Sequence, residues 1–62
     1  MFSELQAKQR ILKEISPDFD ISFDMIHEEY YISHKGFPFR RVSMDGFTRD
    51  LVKEITVWKN AK

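Results

Sequence analysis

The chain has 62 residues, and its ten Lys and Arg balance ten Asp and Glu, giving a formal net charge of zero. Zero net charge argues against a generic polyanion binder, and the lack of cysteine excludes disulfides, thiolate zinc sites and cysteine nucleophiles. There is neither an apolar run near the roughly 20 residues of a membrane span nor a signal-peptide pattern, so we expect one soluble, cytoplasmic domain over residues 1–62.

The first predicted element is a helix at about residues 3–15. Ser3 and Gln6 fit a capping box, in which each side chain satisfies a backbone amide of the first turn. Pro17 disfavours helical geometry at the residue before it, so the helix should end near residue 15. Its apolar stripe consists of Leu5, Leu12 and Ile15, widened by Ile11.

Two strands should follow, at about residues 19–25 and 30–34. In the first, apolar and polar residues alternate strictly, which predicts a strand with one buried and one wet face. The second, Tyr-Tyr-Ile-Ser-His, is rich in residues that favour strands. A turn separates them, and Lys35-Gly36 predicts the next reversal because glycine accepts the positive φ of a tight hairpin.

A third strand is predicted at about residues 37–44. Its apolar residues change parity midway, which indicates a bulge near Arg40 and Arg41 that reverses the faces. Pro38 cannot donate a hydrogen bond to a neighbouring strand, so this strand should lie at an edge of the sheet. Phe37 and Phe39 are expected in the core.

A closing helix is predicted at about residues 46–59, with Asp45 as its N-cap. Its apolar stripe consists of Phe47, Leu51, Ile55 and Trp58. The fold class is therefore α+β, with the order α-β-β-β-α. We expect a three-stranded antiparallel meander with both helices packed on one face.

The other face of the sheet should then be largely exposed. Its expected residues are Asp20, Ser22, Asp24, Tyr31 and Ser33, with Arg40 as a further candidate. Ile26, Tyr31 and Val57 lie off the predicted core stripes and are candidates for a contact surface. An exposed sheet face also leaves two states open, a monomer and a homodimer.

The charges are segregated along the chain. Residues 17–29 contain five acidic residues and no Lys or Arg, whereas residues 30–44 contain three basic residues and no acidic one. Such charges pair across a sheet or face water in many proteins. The alternative is a polarised surface that recognises a protein partner, with the predicted partner-binding residues Asp20, Asp24, Glu28, Glu29 and Tyr31.

No constellation in the sequence indicates catalysis, a cofactor or a metal site. Asp20 and Asp24 lie about 13 Å apart along an extended strand, too far to hold one ion together. His27 and His34 lack the spacing of a zinc site, and no Gly-x-Ser-x-Gly motif is present. We therefore expect a non-enzymatic protein.

A nucleic-acid-binding module is the alternative function. Aromatic residues interleaved with basic ones on a sheet are typical of single-stranded nucleic-acid binding, in which bases stack and cations contact phosphates. The residues concerned are Tyr31, Lys35, Arg40 and Arg41. The acidic strand beside them would repel phosphates.

The chain resembles two kinds of known protein. The helix–three strands–helix order resembles the double-stranded RNA-binding domain, but Asp45-Gly46-Phe47-Thr48-Arg49-Asp50 replaces that family's basic Lys-Lys motif. The segments Phe23-Asp24, Tyr31-Ile32-Ser33-His34-Lys35-Gly36 and Phe39-Arg40-Arg41-Val42 look like those of small phage and prophage proteins. This second resemblance implies an accessory protein in the host cytoplasm that contacts a host or phage factor.

Overall fold

The computed structural model describes residues 2–61 and confirms the α-β-β-β-α order. The elements are α1 (Phe2–Ile15), β1 (Phe19–Asp24), β2 (Glu29–His34), β3 (Phe37–Ser43), a 3₁₀ turn (Met44–Gly46) and α2 (Arg49–Asn60). The strands form an antiparallel meander in the order β1-β2-β3, and both helices pack against it.

The core forms where the helical stripes meet the inward face of the sheet. In β1 the residues alternate as predicted, with Phe19 and Ile21 buried and Asp20 and Ser22 exposed. The buried apolar residues are Leu12, Phe19, Ile21, Tyr30, Ile32, Leu51 and Ile55. All the strand residues in this list point to the side of the sheet that packs against the helices. Within residues 2–61, no helix covers the opposite side.

Aromatic rings fill one end of the core. The Phe19 ring lies 4.6 Å from His34, 5.3 Å from Phe39 and 6.0 Å from Trp58, measured between centroids. Phe39 and Trp58 meet edge to face at 4.7 Å, a geometry that aromatic pairs favour. Trp58 therefore ties the end of α2 to the sheet.

The predicted bulge exists, and it lies one residue earlier than expected. Ile32 pairs with Arg40 and Ser33 with Pro38, so Phe39 is the extra residue of β3. The insertion turns Phe39 into the core and leaves Arg40 on the helical side of the sheet, where it contacts α2. The expectation that Arg40 lies on the open face is therefore wrong, and Arg41 lies there instead.

Three further expectations are corrected. Phe37 is 74% exposed and Ile11 is 38% exposed, because both lie at the margin of the core. Asp45 does not cap α2, since it lies inside the 3₁₀ turn. The N-cap is Thr48, whose extended backbone lets its Oγ1 accept a hydrogen bond from the Leu51 amide at 3.3 Å.

Candidate functional site

The strand register defines the open sheet face, which is the sheet surface opposite the helices. Three rows of paired residues cross it from β1 through β2 to β3. They are Asp20–Ser33–Pro38, Ser22–Tyr31–Arg41 and Asp24–Glu29–Ser43. The face is therefore polar and carries one aromatic ring at its centre.

Asp24 organises the end of this face and the turn that follows it. Its Oδ1 accepts hydrogen bonds from the backbone amides of Ile26 at 2.9 Å and His27 at 3.4 Å. Its Oδ2 accepts from His27 Nδ1 at 2.6 Å and from the Tyr31 hydroxyl at 3.1 Å. An aspartate that accepts hydrogen bonds from the backbone amides two and three residues ahead stabilises one conformation of a turn.

These contacts favour the ionised form of Asp24. The hydrogen bond from the His27 ring is the largest cause, and it lowers the pKa of Asp24 from its usual 3.8 to about 2. Partial desolvation opposes the shift, while the amides of Ile26 and His27 and the Tyr31 hydroxyl reinforce it. Asp24 therefore stays charged throughout the physiological range.

This shift predicts a loss of stability in acid. Below about pH 5 the unfolded chain binds a proton at Asp24 more readily than the folded chain does, so the free energy of unfolding falls towards pH 2. Asp24→Asn should remove this contribution and give a shallower acid dependence in urea unfolding between pH 7 and pH 2. Glu28→Gln is the matched control, since it neutralises an exposed carboxylate of the same turn that makes no ion pair within residues 2–61. Identical slopes for wild type and Asp24→Asn would contradict the role of Asp24.

Arg41 supports Tyr31 from the neighbouring strand. Its guanidinium carbon lies 4.6 Å from the centroid of the Tyr31 ring, and its Nη2 donates a hydrogen bond to the Tyr31 hydroxyl oxygen. Its Nε lies 4.0 Å from Glu29 Oε1. Tyr31 is thus contacted from two sides, by Asp24 and by Arg41.

A groove of about 590 Å³ lies beside this supported ring. Ser22 and Ser33 contribute short side chains to its lining, while Tyr31, Pro38 and Arg41 contribute larger ones. Short side chains between larger ones leave room for a ligand group to approach the strands. The groove therefore offers hydroxyl groups, a cation and apolar surface at one place.

The structure gathers part of the predicted partner-binding set. Asp24, Glu29 and Tyr31 belong to one connected network, together with His27 and Arg41. The two others lie apart from that network. Asp20 pairs with Lys13 of α1 at 3.2 Å, and Glu28 is an exposed turn residue with φ of 52°.

The four residues of the nucleic-acid alternative do not share a face. Arg40 pairs with Glu54 of α2 at 3.0 Å on the helical side, whereas Arg41 lies on the open sheet face over Tyr31. Lys35 occupies the β2–β3 turn with φ of 54°. The guanidinium of Arg41 also occupies one side of the Tyr31 ring, where a base would otherwise stack.

Sequence reasoning did not assign His27 to the site and assigned Arg41 only to the alternative one. The spacing Asp24-x-x-His27 is compatible with an aspartate-stabilised turn, and it is the signal that could have identified His27. The position of Arg41 opposite Tyr31 depends on the bulge at Phe39, which parity alone did not place.

Within residues 2–61, no group of three or more His, Asp or Glu residues is arranged to hold a metal ion. No helix in the same range is long and apolar enough to cross a membrane. The chain matches no protein-family model, no curated protein and no solved structure.

Proposed function

We propose that this chain is a small, non-enzymatic interaction domain that binds a protein partner through its open sheet face. The observation that carries the proposal is the groove beside Tyr31, whose ring is held in place by Asp24 and Arg41. A side chain that is ordered before binding loses little conformational entropy on association, which favours affinity. Asp20, Glu28 and Glu29 extend this surface at its margins.

The charge of the face supports a protein partner with basic residues. The open sheet face carries three carboxylates, those of Asp20, Asp24 and Glu29. Arg41 lies on the same face and Lys13 of α1 pairs with Asp20 at 3.2 Å, so three carboxylates against two cations leave a net charge of −1. Such a surface attracts Lys and Arg side chains and repels phosphates. The charge therefore favours a protein over a nucleic acid.

The exposed area of the molecule also supports a binding role. Its accessible surface is 4782 Å², whereas a folded protein of this mass exposes about 4,250 Å². Binding of a partner on the uncovered face would remove part of this excess from water. In line with the resemblance to small phage proteins, we extend the proposal to a host or phage protein as the partner.

Capture experiments with a blocked groove test this proposal. Ser33→Arg places a long cationic side chain in the groove, on the open face and away from the core. We expect the immobilised variant to retain less than about a tenth of the partner that wild type captures from host lysate, a loss of at least about 1.4 kcal/mol in binding free energy. Quantitative mass spectrometry measures the captured protein.

Gln6→Arg is the matched control, because it adds the same side chain at an exposed position of α1. Capture by this control should equal capture by wild type, and circular dichroism should show that both variants are folded. Equal capture by Ser33→Arg would overturn the proposal. Saturable binding of single- or double-stranded oligonucleotides at low salt would also overturn the proposal if Arg41→Ala weakened it. That result would assign the open sheet face to nucleic-acid binding.

A further inference from the structure

One end of the sheet carries an exposed apolar tip, which consists of Met25, Ile26 and Met44. Their exposed fractions are 74%, 88% and 50%. Met25 and Ile26 lie in the β1–β2 turn, and the Met44 amide donates a hydrogen bond to the carbonyl of Glu28 at 3.2 Å. The turn and the 3₁₀ segment are thus joined at this end.

The apolar tip is both ordered and acidic. Asp24 holds the turn through the amides of Ile26 and His27. Glu28 and Asp45 are exposed next to the apolar residues, and neither makes an ion pair within residues 2–61. The end of the sheet therefore presents apolar side chains with two carboxylates beside them.

The opposite end of the sheet carries a groove of about 500 Å³, which we call the basic groove. Ile15 of α1, His34 of β2 and Trp58 of α2 supply its apolar and aromatic lining. The rings of His34 and Trp58 meet edge to face at 5.2 Å, and His34 Nε2 has no hydrogen-bond partner within residues 2–61. Rings from the sheet and α2 thus form one continuous wall of this groove.

The charges at the basic groove complement those of the apolar tip. Lys35 and Lys59 both line the groove, and neither makes an ion pair within residues 2–61. Asp18 is the one carboxylate among the lining residues, so two ammonium groups against one carboxylate leave a net charge of +1. The apolar tip, which is acidic, and the basic groove, which is lined by aromatic rings, therefore have complementary charges and lie on the same chain.

The tip and the groove cannot meet within one molecule. The groove lies where Phe19 pairs with His34, and the tip lies where Asp24 pairs with Glu29. Five residue steps along β1 separate these positions, a distance of about 17 Å. A second copy of the chain offers both surfaces, so the apolar tip of one copy can meet the basic groove of the next.

We propose that the protein self-associates head to tail, with the apolar tip of one copy inserted into the basic groove of the next. Met25 and Ile26 contact the ring of Trp58, while Glu28 and Asp45 approach Lys35 and Lys59. A contact between two different surfaces generates open chains or closed rings rather than two-fold dimers. The open sheet face stays accessible in such an assembly, and the two proposals share only Glu28, at the margin of that face.

Sedimentation velocity of the purified chain, from micromolar to millimolar concentration, tests this geometry. Wild type should show a mass that rises with concentration and an association that weakens in high salt. A tip variant, Met25→Ser with Ile26→Ser, and a groove variant, Lys59→Glu, should each associate at least tenfold more weakly. Val57→Ser is the matched control, because Val57 is 68% exposed on α2 and lines neither surface. Circular dichroism should show that every variant is folded.

Mixing the two variants provides the decisive result. The groove variant still has an intact tip and the tip variant still has an intact groove, so the mixture should form a one-to-one dimer and nothing larger. A wild-type mass that stays monomeric at all concentrations would overturn the inference. Dimers that survive in both single variants would also overturn it, because they would show a two-fold contact elsewhere.

Discussion

Phe19→Ala should remove a large share of the protein's stability and leave it only marginally folded at room temperature. The Phe19 side chain is completely buried and contacts the rings of His34, Phe39 and Trp58. Removing a buried phenylalanine ring costs about 3–5 kcal/mol, whereas a domain of this length has a total stability of about 3–9 kcal/mol. Chemical denaturation of wild type and variant, followed by circular dichroism, measures the difference in the free energy of unfolding.

Phe37→Ala is the matched control for this prediction. It removes the same ring from the same sheet, but Phe37 is 74% exposed at the β2–β3 hairpin. We expect a loss below about 1 kcal/mol, as is usual for a surface substitution. Similar losses for the two variants would show that the aromatic cluster around Phe19 is not the centre of the core.

Leu12→Ala should have the second large effect, at the contact between α1 and the sheet. Leu12 is completely buried, so its replacement leaves a cavity and is expected to cost about 2–5 kcal/mol. This side chain belongs to the same cluster as Phe19 and Ile55, and its loss should loosen both helices. Thermal unfolding should show a midpoint lowered by about 4–8 °C for each kcal/mol lost.

The neighbouring residue supplies the comparison for Leu12. Ile11 is 38% exposed, so Ile11→Ala should cost clearly less than Leu12→Ala although both changes remove branched aliphatic groups. A larger loss for Ile11→Ala would contradict the orientation of α1. Leucine and isoleucine differ by only a few tenths of a kcal/mol in helix propensity, about as much as ordinary residues differ, so burial accounts for most of the expected difference between the variants.

Much of the fold could be predicted from local patterns. The alternation over residues 19–25 correctly predicted the burial of Phe19 and Ile21, but Met25, which shares their parity, lies beyond the end of β1 and is 74% exposed. The spacing of Leu51 and Ile55 correctly predicted the inward face of α2. Pro38 correctly indicated an edge strand. Such predictions succeed because each depends on the conformational preferences of residues close together in the chain.

The start of α2 shows where local patterns stop being sufficient. Asp45 and Thr48 are both good N-cap residues, and the sequence offered no reason to prefer the second. In the structure Phe47 packs against the core and its ring lies 6.3 Å from that of Tyr30. The helix begins after this contact, so Thr48 provides the cap and residues 44–46 form a 3₁₀ turn.

The sequence predicted which residues lie on the face of the candidate site, but it did not predict which of them contact one another. Asp24 and Tyr31 were expected on one face because each follows the parity of its strand. Their hydrogen bond, however, requires the pairing of β1 with β2, and the support from Arg41 requires the pairing of β2 with β3. No local pattern contains that information.

The sequence by itself determined the zero net charge, the order of the helices and strands, and the main inward residues of β1 and α2. The tertiary structure decided which charges stand together: the bulge at Phe39 directs Arg40 to Glu54 and leaves Arg41 beside Tyr31. It also placed the apolar tip and the basic groove at opposite ends of the sheet. The physical reason is that a one-residue change of register reverses the faces of a strand, so the partners of a side chain depend on contacts that are distant in sequence.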